Sequence, residues 1–396
     1  MTESPTPRLT PSAVDDDTPV AGPSGGLGRR AFVTRAAAGL AAASAAACGG
    51  NESGEVEGAP AVQTGQRVQW RMVSSYPRTL DTLWGSAESF ARHLSELTGG
   101  RFTLRPYPSG ELVPGLEVMD AVQQGSVQCG QTPSYYYTGK NPALAFDTCV
   151  PFGFTARQQS AWLMEGGGLE LIQRIYGDFN IINFSMGNTG AQMGGWFRRE
   201  ISTAADLRGL KMRIPGLGGL VMDRIGVGVQ NIAAGELFAA LERGAIDAAE
   251  WVGPADDERL GLQDAATYYY YPGWWEPGPE VSCVINRQAW DALPSDYQAA
   301  LQVACKAVRQ ELQAAYDARN PAALTRLVQG GVQLRQFSPE IMNVAQAATE
   351  EMLEESAAAD ATYREVYEQW KRFRDASFAW FGTTELAYAE FAFRQR

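Results

Sequence analysis

Between residues 68 and 130 the chain switches repeatedly between a two-residue and a helical hydrophobic period, and this rhythm restricts the fold more than any other feature. Val68-Gln69-Trp70-Arg71-Met72-Val73 alternates apolar and polar side chains as a half-buried strand does. Residues 81–97 then set Leu83, Trp84, Ala87, Phe90, Ala91 and Leu94 at helical spacing, with Gly99-Gly100 as a stop. A second strand at 102–105, a helix over 116–124 ending at Gly125, and a third strand at 127–130 complete a βαβαβ order. Such an order builds a parallel sheet with helices on its faces.

The pattern then restarts. Residues 156–176 read as a helix weakened at Gly166-Gly167-Gly168, followed by strands at 181–185, 193–198 and 210–214, the last stopped by Pro215. Helices over 220–225 and 236–243 frame a strand at 245–251, and another strand covers 281–286. Repeated α/β units imply two lobes rather than one long sheet. Beyond them Ser295-Asp296-Tyr297-Gln298 reads as a capping box opening a long helix striped by Tyr297, Leu301, Ala304, Cys305, Val308 and Leu312, and Ser338-Pro339 starts another. The last hundred residues are expected to be mostly helical.

The first sixty residues read as an address. Residues 1–28 are polar and lack any period that could bury a core. Arg29-Arg30 then precedes a mild Ala/Gly run at 36–47, which resembles a twin-arginine export signal and is too short for a membrane span of about 20 residues. Cys48 stands where a bacterial lipoprotein carries its lipid, while Ala45-Ala46-Ala47 equally suits ordinary cleavage. Residues 49–66 form a Gly/Glu/Pro-rich tether. The mature chain is expected in the periplasm, where Cys129, Cys149, Cys283 and Cys305 allow three disulfide pairings or none.

Composition narrows the chemistry. A net charge of -12 repels nucleic acid and anionic lipid surfaces. The single histidine, His93, disfavours histidine-built zinc sites, triads and proton relays, so an enzyme is not expected.

Three segments can hold a small ligand. Asn188-Thr189-Gly190-Ala191-Gln192-Met193-Gly194-Gly195-Trp196 lets backbone approach a ligand, and the Gln192 amide can face a cation or an anion; a plain glycine-rich turn is the alternative. In Leu210-Lys211-Met212-Arg213-Ile214, Arg213 ends a strand, where a guanidinium can grip a carboxylate with two parallel hydrogen bonds or form an ordinary salt bridge. Glu250-Trp251 closes another strand. A Glu250 sharing a cleft with Arg213 would repel an anionic guest unless an oxygen-ligated cation stood between them; the rival is direct Glu250–Arg213 pairing. The aromatic runs Tyr135-Tyr136-Tyr137, Tyr268-Tyr269-Tyr270-Tyr271 and Trp274-Trp275 suit packing or pocket walls, and Asp256-Asp257-Glu258 a solvated helix start.

DLRGLKMRIPG (206–216), GELFAALERGAIDAAEW (235–251) and VINRQAWDALP (284–294) resemble the extracytoplasmic substrate-binding proteins of TRAP transporters, the DctP-like family, over about residues 68–380. NTGAQMGGWF and VGPADDERLGL resemble the branch that takes 2-oxo or 2-hydroxy monocarboxylates such as pyruvate or lactate as metal–carboxylate complexes. The resemblance implies an α/β, two-lobed Venus-flytrap fold with hinge strands and long C-terminal helices. It implies that Arg213 pairs with the substrate carboxylate and that Gln192, Glu250 and the Trp251 carbonyl hold sodium or calcium. Tyr135, Tyr136, Asn188 and Trp275 are its candidate pocket walls. Its partners would be the membrane permease subunits and a second copy of the chain.

The division expected is 1–66 for signal and tether, 67–180 plus about 254–282 for lobe 1, 181–253 plus about 283–335 for lobe 2, and 336–396 for a helical region packed on both. Two rivals stand beside this reading. An exported cofactor-dependent oxidoreductase lacks a dinucleotide fingerprint, a cysteine cluster or a haem motif. A ligand-sensing lipoprotein working with a sensor kinase would look the same in this chain.

Overall fold

The computed structural model describes residues 66–394; the signal, Cys48 and the tether up to residue 65 lie outside them. β1 (Val68–Ser74), α1 (Leu83–Leu97), β2 (Phe102–Tyr107), α2 (Val118–Gln123) and β3 (Cys129–Thr132) follow the expected alternation. Next come α3 (Ala156–Met164), α4 (Gly168–Gly177), β4 (Ile181–Asn188), β5 (Trp196–Phe197), β6 (Lys211–Arg213) and α5 (Gly216–Arg224). β7 (Gly228–Gln230), α6 (Ala234–Glu242), β8 (Ala248–Ala249), α7 (Pro254–Leu260), β9 (Tyr268–Tyr271) and β10 (Glu280–Asn286) lead to α8 (Ser295–Gln329). β11 (Gln333–Gln336), α9 (Pro339–Ala359) and α10 (Ala361–Phe381) follow.

The strands form two mixed sheets, ordered β2-β1-β3-β10-β4 and β11-β9-β5-β8-β6-β7. The parallel pairs β1/β2, β1/β3, β6/β7 and β6/β8 come from the βα repeats; β10 and β5 run antiparallel to their neighbours. Trp70, Met72, Phe102 and Leu104 of the first sheet share a core with Ala87, Phe90 and Leu94 of α1 and with Tyr297, Leu301, Ala304 and Val308 of α8. The stripes seen in the sequence are therefore buried seams, and each large apolar side chain so buried contributes about 1.5–3 kcal/mol. Leu312, Tyr316 and Leu327, farther along α8, join the core of the second sheet, so this one helix spans both. α9 packs on α5, and α10 on α4.

The sheets divide the chain differently from the expected lobes. Ile181–Asn188, assigned to lobe 2, pairs with β10 in the first sheet, and Tyr268–Tyr271, assigned to lobe 1, lies in the second. The chain crosses from sheet to sheet at residues 189–195, again at 272–279 and a third time between β10 and β11, so the two sheets exchange strands rather than following one another. The tyrosine run forms β9, and Tyr269 and Tyr270 are buried in the core, in keeping with a packing role.

Local chemistry explains the other differences. The helix expected over 156–176 breaks in two because Gly167 adopts φ 78° and a side chain at Gly168 would sit 2.5 Å from the Trp162 ring. Ser295 makes no capping box: Pro294 is the N-cap, and Ser295 is the first helical residue. Ser338 does cap, accepting from the Ile341 amide at 3.3 Å. Asp256 and Asp257 open α7 as expected but are buried, not solvated. Asp257 accepts from the Val252 and Gly253 amides, the Trp196 indole and the Tyr269 hydroxyl. Cys129, Cys149, Cys283 and Cys305 are buried free thiols.

Candidate functional site

Parallel pairing brings the first two site residues together. The register sets Arg213 beside Ala249, so Arg213 and the following Glu250 meet at the C-terminal ends of β6 and β8, where open α/β sheets commonly bind ligands. Arg213 is 1% exposed and Glu250 0%. Arg213 Nη1 donates to the Glu250 carbonyl at 2.8 Å and to Glu250 Oε1, Nε donates to the Ile232 carbonyl at 3.1 Å, and Nη2 donates to the Tyr136 hydroxyl at 3.3 Å. The guanidinium lies 4.9 Å from the Trp251 ring centroid. Direct pairing, the rival reading of these two residues, is thus the arrangement in this structure.

That pair leaves oxygens unspent. Glu250 Oε2 has no hydrogen-bond partner, and neither has Gln192 Oε1 or Glu276 Oε2. Gln192 stands on the first crossover and Glu276 on the second. The two crossovers run side by side, the Gln192 amide donating to the Glu276 carbonyl at 3.2 Å and Gly273 to the Gln192 carbonyl at 3.1 Å. Gly273 is required there, since a Cβ would meet the Gln192 carbonyl at 2.5 Å. Gln192 Nε2 donates to the Thr189 hydroxyl at 3.1 Å, while Oε1 remains a buried acceptor without a partner.

Glu276 was missed in the sequence. It is 3% exposed. The available signal was a carboxylate directly after Trp274-Trp275, because a charged group in an aromatic run needs a partner to be buried. Burial and the charge of Glu250 hold its carboxyl well above the usual range, against the pull of Arg213 and hydrogen bonds from Tyr135 and Gln192. Burial likewise pushes Glu250 up to about 8, outweighing Arg213. Two buried carboxyls beside one guanidinium, both held toward the protonated form, are a site where a further positive charge would favour their ionised state, and the vacant acceptors are all hard oxygens, the donor type that sodium and calcium take. Among the described residues no group of three or more His, Cys, Asp or Glu is arranged for a metal, so a cation here depends on amide, carbonyl and ligand oxygens as well.

A small cavity, with room for little more than a water molecule, adjoins this cluster. Tyr135, Tyr136, Thr189, Gln192 and Trp251 form its polar side; Leu83, Pro133, Val252 and Val281 form an apolar one. Tyr135 and Tyr136 come from the turn after β3 and Trp251 from the end of β8, so the cavity lies between the ends of the two sheets. Arg213, Glu250 and Glu276 sit just behind this wall. Asn188 and Trp275 do not line it: Asn188 donates to the Gly278 carbonyl and Glu280 and accepts from the Gly190 amide, while Trp275 packs on Trp274 and Phe337.

Residues 73–360 match the family model described as bacterial extracellular solute-binding protein, family 7. The chain belongs to that family. The receptor is 56% identical over 332 residues, 84% of its length and 91% of the relative's, to a monocarboxylate 2-oxoacid-binding periplasmic protein of Nostoc. A TRAP transporter solute-binding protein of Bordetella bronchiseptica matches with TM-score 0.82 and 44% identity over 83% of this chain and 98% of that one; it crystallised as a dimer with calcium and picolinate in one site and an apo second site. A TRAP periplasmic solute-binding protein of Pseudoalteromonas atlantica, with bound sodium and pyruvate, matches with TM-score 0.80 and 38% identity over 82% and 99%. The receptor is accordingly a periplasmic transport protein and not an enzyme.

The buried carboxyls carry a pH signature. Asp147 and Asp257 are pushed up to about 6, Asp256 to about 7 and Glu250 to about 8, each chiefly by burial. Groups with raised folded pKa keep protons that the unfolded chain releases, so their contribution is complete below about pH 4 and is lost as pH rises through 6 to 8. The ligand-free receptor should therefore melt at a lower temperature at pH 8.5 than at pH 5.5 in scanning calorimetry. A melting temperature that rose over this interval would contradict the burial of these groups as acids.

Proposed function

We propose that the receptor captures a small 2-oxo or 2-hydroxy monocarboxylate together with sodium or calcium and delivers it to a TRAP membrane permease. The observation that carries this reading is the set of three unpartnered buried oxygens, Gln192 Oε1, Glu250 Oε2 and Glu276 Oε2, gathered around Arg213 beside a small cavity. Arg213 grips the carboxylate of the guest, exchanging its bond to Glu250 for a bidentate one. Gln192, Glu250, Glu276 and the Trp251 carbonyl hold the cation. When bound, the cation supplies the positive charge that lets two glutamates and an anion share one enclosure. Tyr135 and Tyr136 wall the guest in, whereas Asn188 ties the first crossover to the second and Trp275 packs behind it.

The sheets are the two lobes, the crossovers at 189–195 and 272–279 are hinge strands, and closure is driven by the higher affinity of the closed form. The 2-oxoacid, picolinate and pyruvate ligands of the Nostoc, Bordetella and Pseudoalteromonas relatives agree with this chemistry. Export by the twin-arginine route, with Cys48 offered as a lipid anchor, fits the leader. A homodimer fits the C-terminal surface, where Trp380, Tyr388, Phe391 and Phe393 are 61–72% exposed, an apolar patch that a second copy would cover.

Native mass spectrometry of receptor purified without added ligand tests the reading, the expected species being a dimer that retains one monocarboxylate and one sodium or calcium per chain. In thermal-shift titrations, pyruvate and lactate should stabilise the fold by mass action. A straight 2-oxoacid longer by one methylene should bind about fourfold more tightly through the apolar wall of Leu83, Val252 and Val281. A receptor that none of these acids stabilises at millimolar concentration would sink the assignment.

A further inference from the structure

The first strands of the body carry a basic face that ligand capture does not use. Side chains alternate across β1 and β2, and Trp70, Met72, Phe102 and Leu104 point into the core. The other face therefore presents Arg67, Gln69 and Arg71 beside Arg101, Thr103 and Arg105, all exposed. Parallel register sets Gln69 against Thr103 and Arg71 directly against Arg105. Like charges facing each other across a pair of strands destabilise it, so the arrangement asks for an anion outside. None of the ion pairs among the described residues involves these four arginines, although the chain as a whole carries -12. Arg105 lies over the Tyr107 ring at 4.9 Å, and Arg71 Nη2 donates to the Ser126 carbonyl at 2.8 Å, which holds both heads on the surface. Farther along the same face Val73 is covered by Val118 and Val122 of α2; over the strand starts nothing in the described residues lies on top.

We propose that this face rests on an anionic phospholipid surface. Two features favour a bilayer as occupant. The arginines are spread over an open two-stranded surface with a shallow groove between Arg71, Arg105 and Gln128, which suits mobile headgroup phosphates better than one fixed carboxylate. The tether of residues 49–66 joins the body at Gln66, one residue before Arg67. Cys48 is therefore 19 residues from Arg67 along the chain.

The repulsion expected from the overall charge is screened beyond about 8 Å at physiological ionic strength, so the local arginines decide at contact. Residues 49–396, free of lipid, should sediment with vesicles of phosphatidylcholine containing 30% phosphatidylglycerol on the order of tenfold more than with phosphatidylcholine alone, and less as salt rises. Arg71→Glu with Arg105→Glu should remove that difference while the thermal shift with pyruvate persists, which separates this surface from the capture site. Equal sedimentation with both vesicles, or anionic binding unchanged in the double variant, would overturn the proposal. So would a preference for a poly-glutamate peptide with vesicles left unbound, which would assign the face to an acidic protein.

Discussion

Arg213→Ala is expected to abolish the thermal shift produced by pyruvate and to weaken binding by isothermal titration at least about 30-fold. Truncating one partner of a buried, hydrogen-bonded charge pair costs about 2–5 kcal/mol, much of it from leaving the other charge unanswered. Here the loss falls on the complex more than on the empty fold. Burial pushes Glu250 up to about 8 even with Arg213 beside it, so when Arg213 is removed Glu250 stays a neutral acid at neutral pH and leaves no unanswered charge. A guest carboxylate, with a far lower pKa, has no such escape. Arg213→Lys retains the charge but not the planar fork that reaches Glu250, Ile232 and Tyr136 together, and should recover only part of the affinity. An unchanged calorimetric titration in Arg213→Ala would remove Arg213 from the site.

Arg213 and Glu250 could be found in the sequence because strand periodicity reports facing direction. Alternation in Leu210-Lys211-Met212-Arg213-Ile214 put the guanidinium at a strand end, and the alanine-rich run before Glu250-Trp251 marked a second strand; parallel pairing then made them neighbours. Glu276 lay outside that logic. It belongs to a crossover between sheets, where no period operates, and what brings it to Gln192 is the main-chain pairing of residues distant in sequence. Sheet membership lies outside it for the same reason: β4 pairs with β10 and β9 with β5 and β11, partners that chain order does not announce. Asn188 had the right chemistry for a pocket wall and is used as a clamp instead, because its amide meets Gly278, Glu280 and Gly190 before it can reach the cavity. Burial was misjudged at Asp256 and Asp257, whose partners Tyr316, Tyr269 and Trp196 are contributed by separate elements.

The glutamates allow a second test with a different signature. Glu250→Gln and Glu276→Gln keep the volume and the acceptor oxygen of each side chain while removing one negative charge, so the fold should be retained and the electrostatic conflict relieved. In the unaltered receptor, pyruvate binding measured in sodium-free buffer with a calcium chelator should be at least about 30-fold weaker than with the cation restored, since the guest then meets two glutamates and one arginine without a counter-charge. In the double variant the same comparison should give nearly equal affinities, both below the cation-loaded value of the unaltered receptor. Loss of charge thus lowers the ceiling and erases the cation response, an outcome that general damage to the cavity would not produce, because damage would weaken binding in both buffers alike. Each single variant should fall between these limits. If Glu276→Gln instead retained the full cation response while Glu250→Gln lost it, the second crossover would contribute shape but no ligand, and the cation would have to be held by Gln192, Glu250 and the Trp251 carbonyl alone.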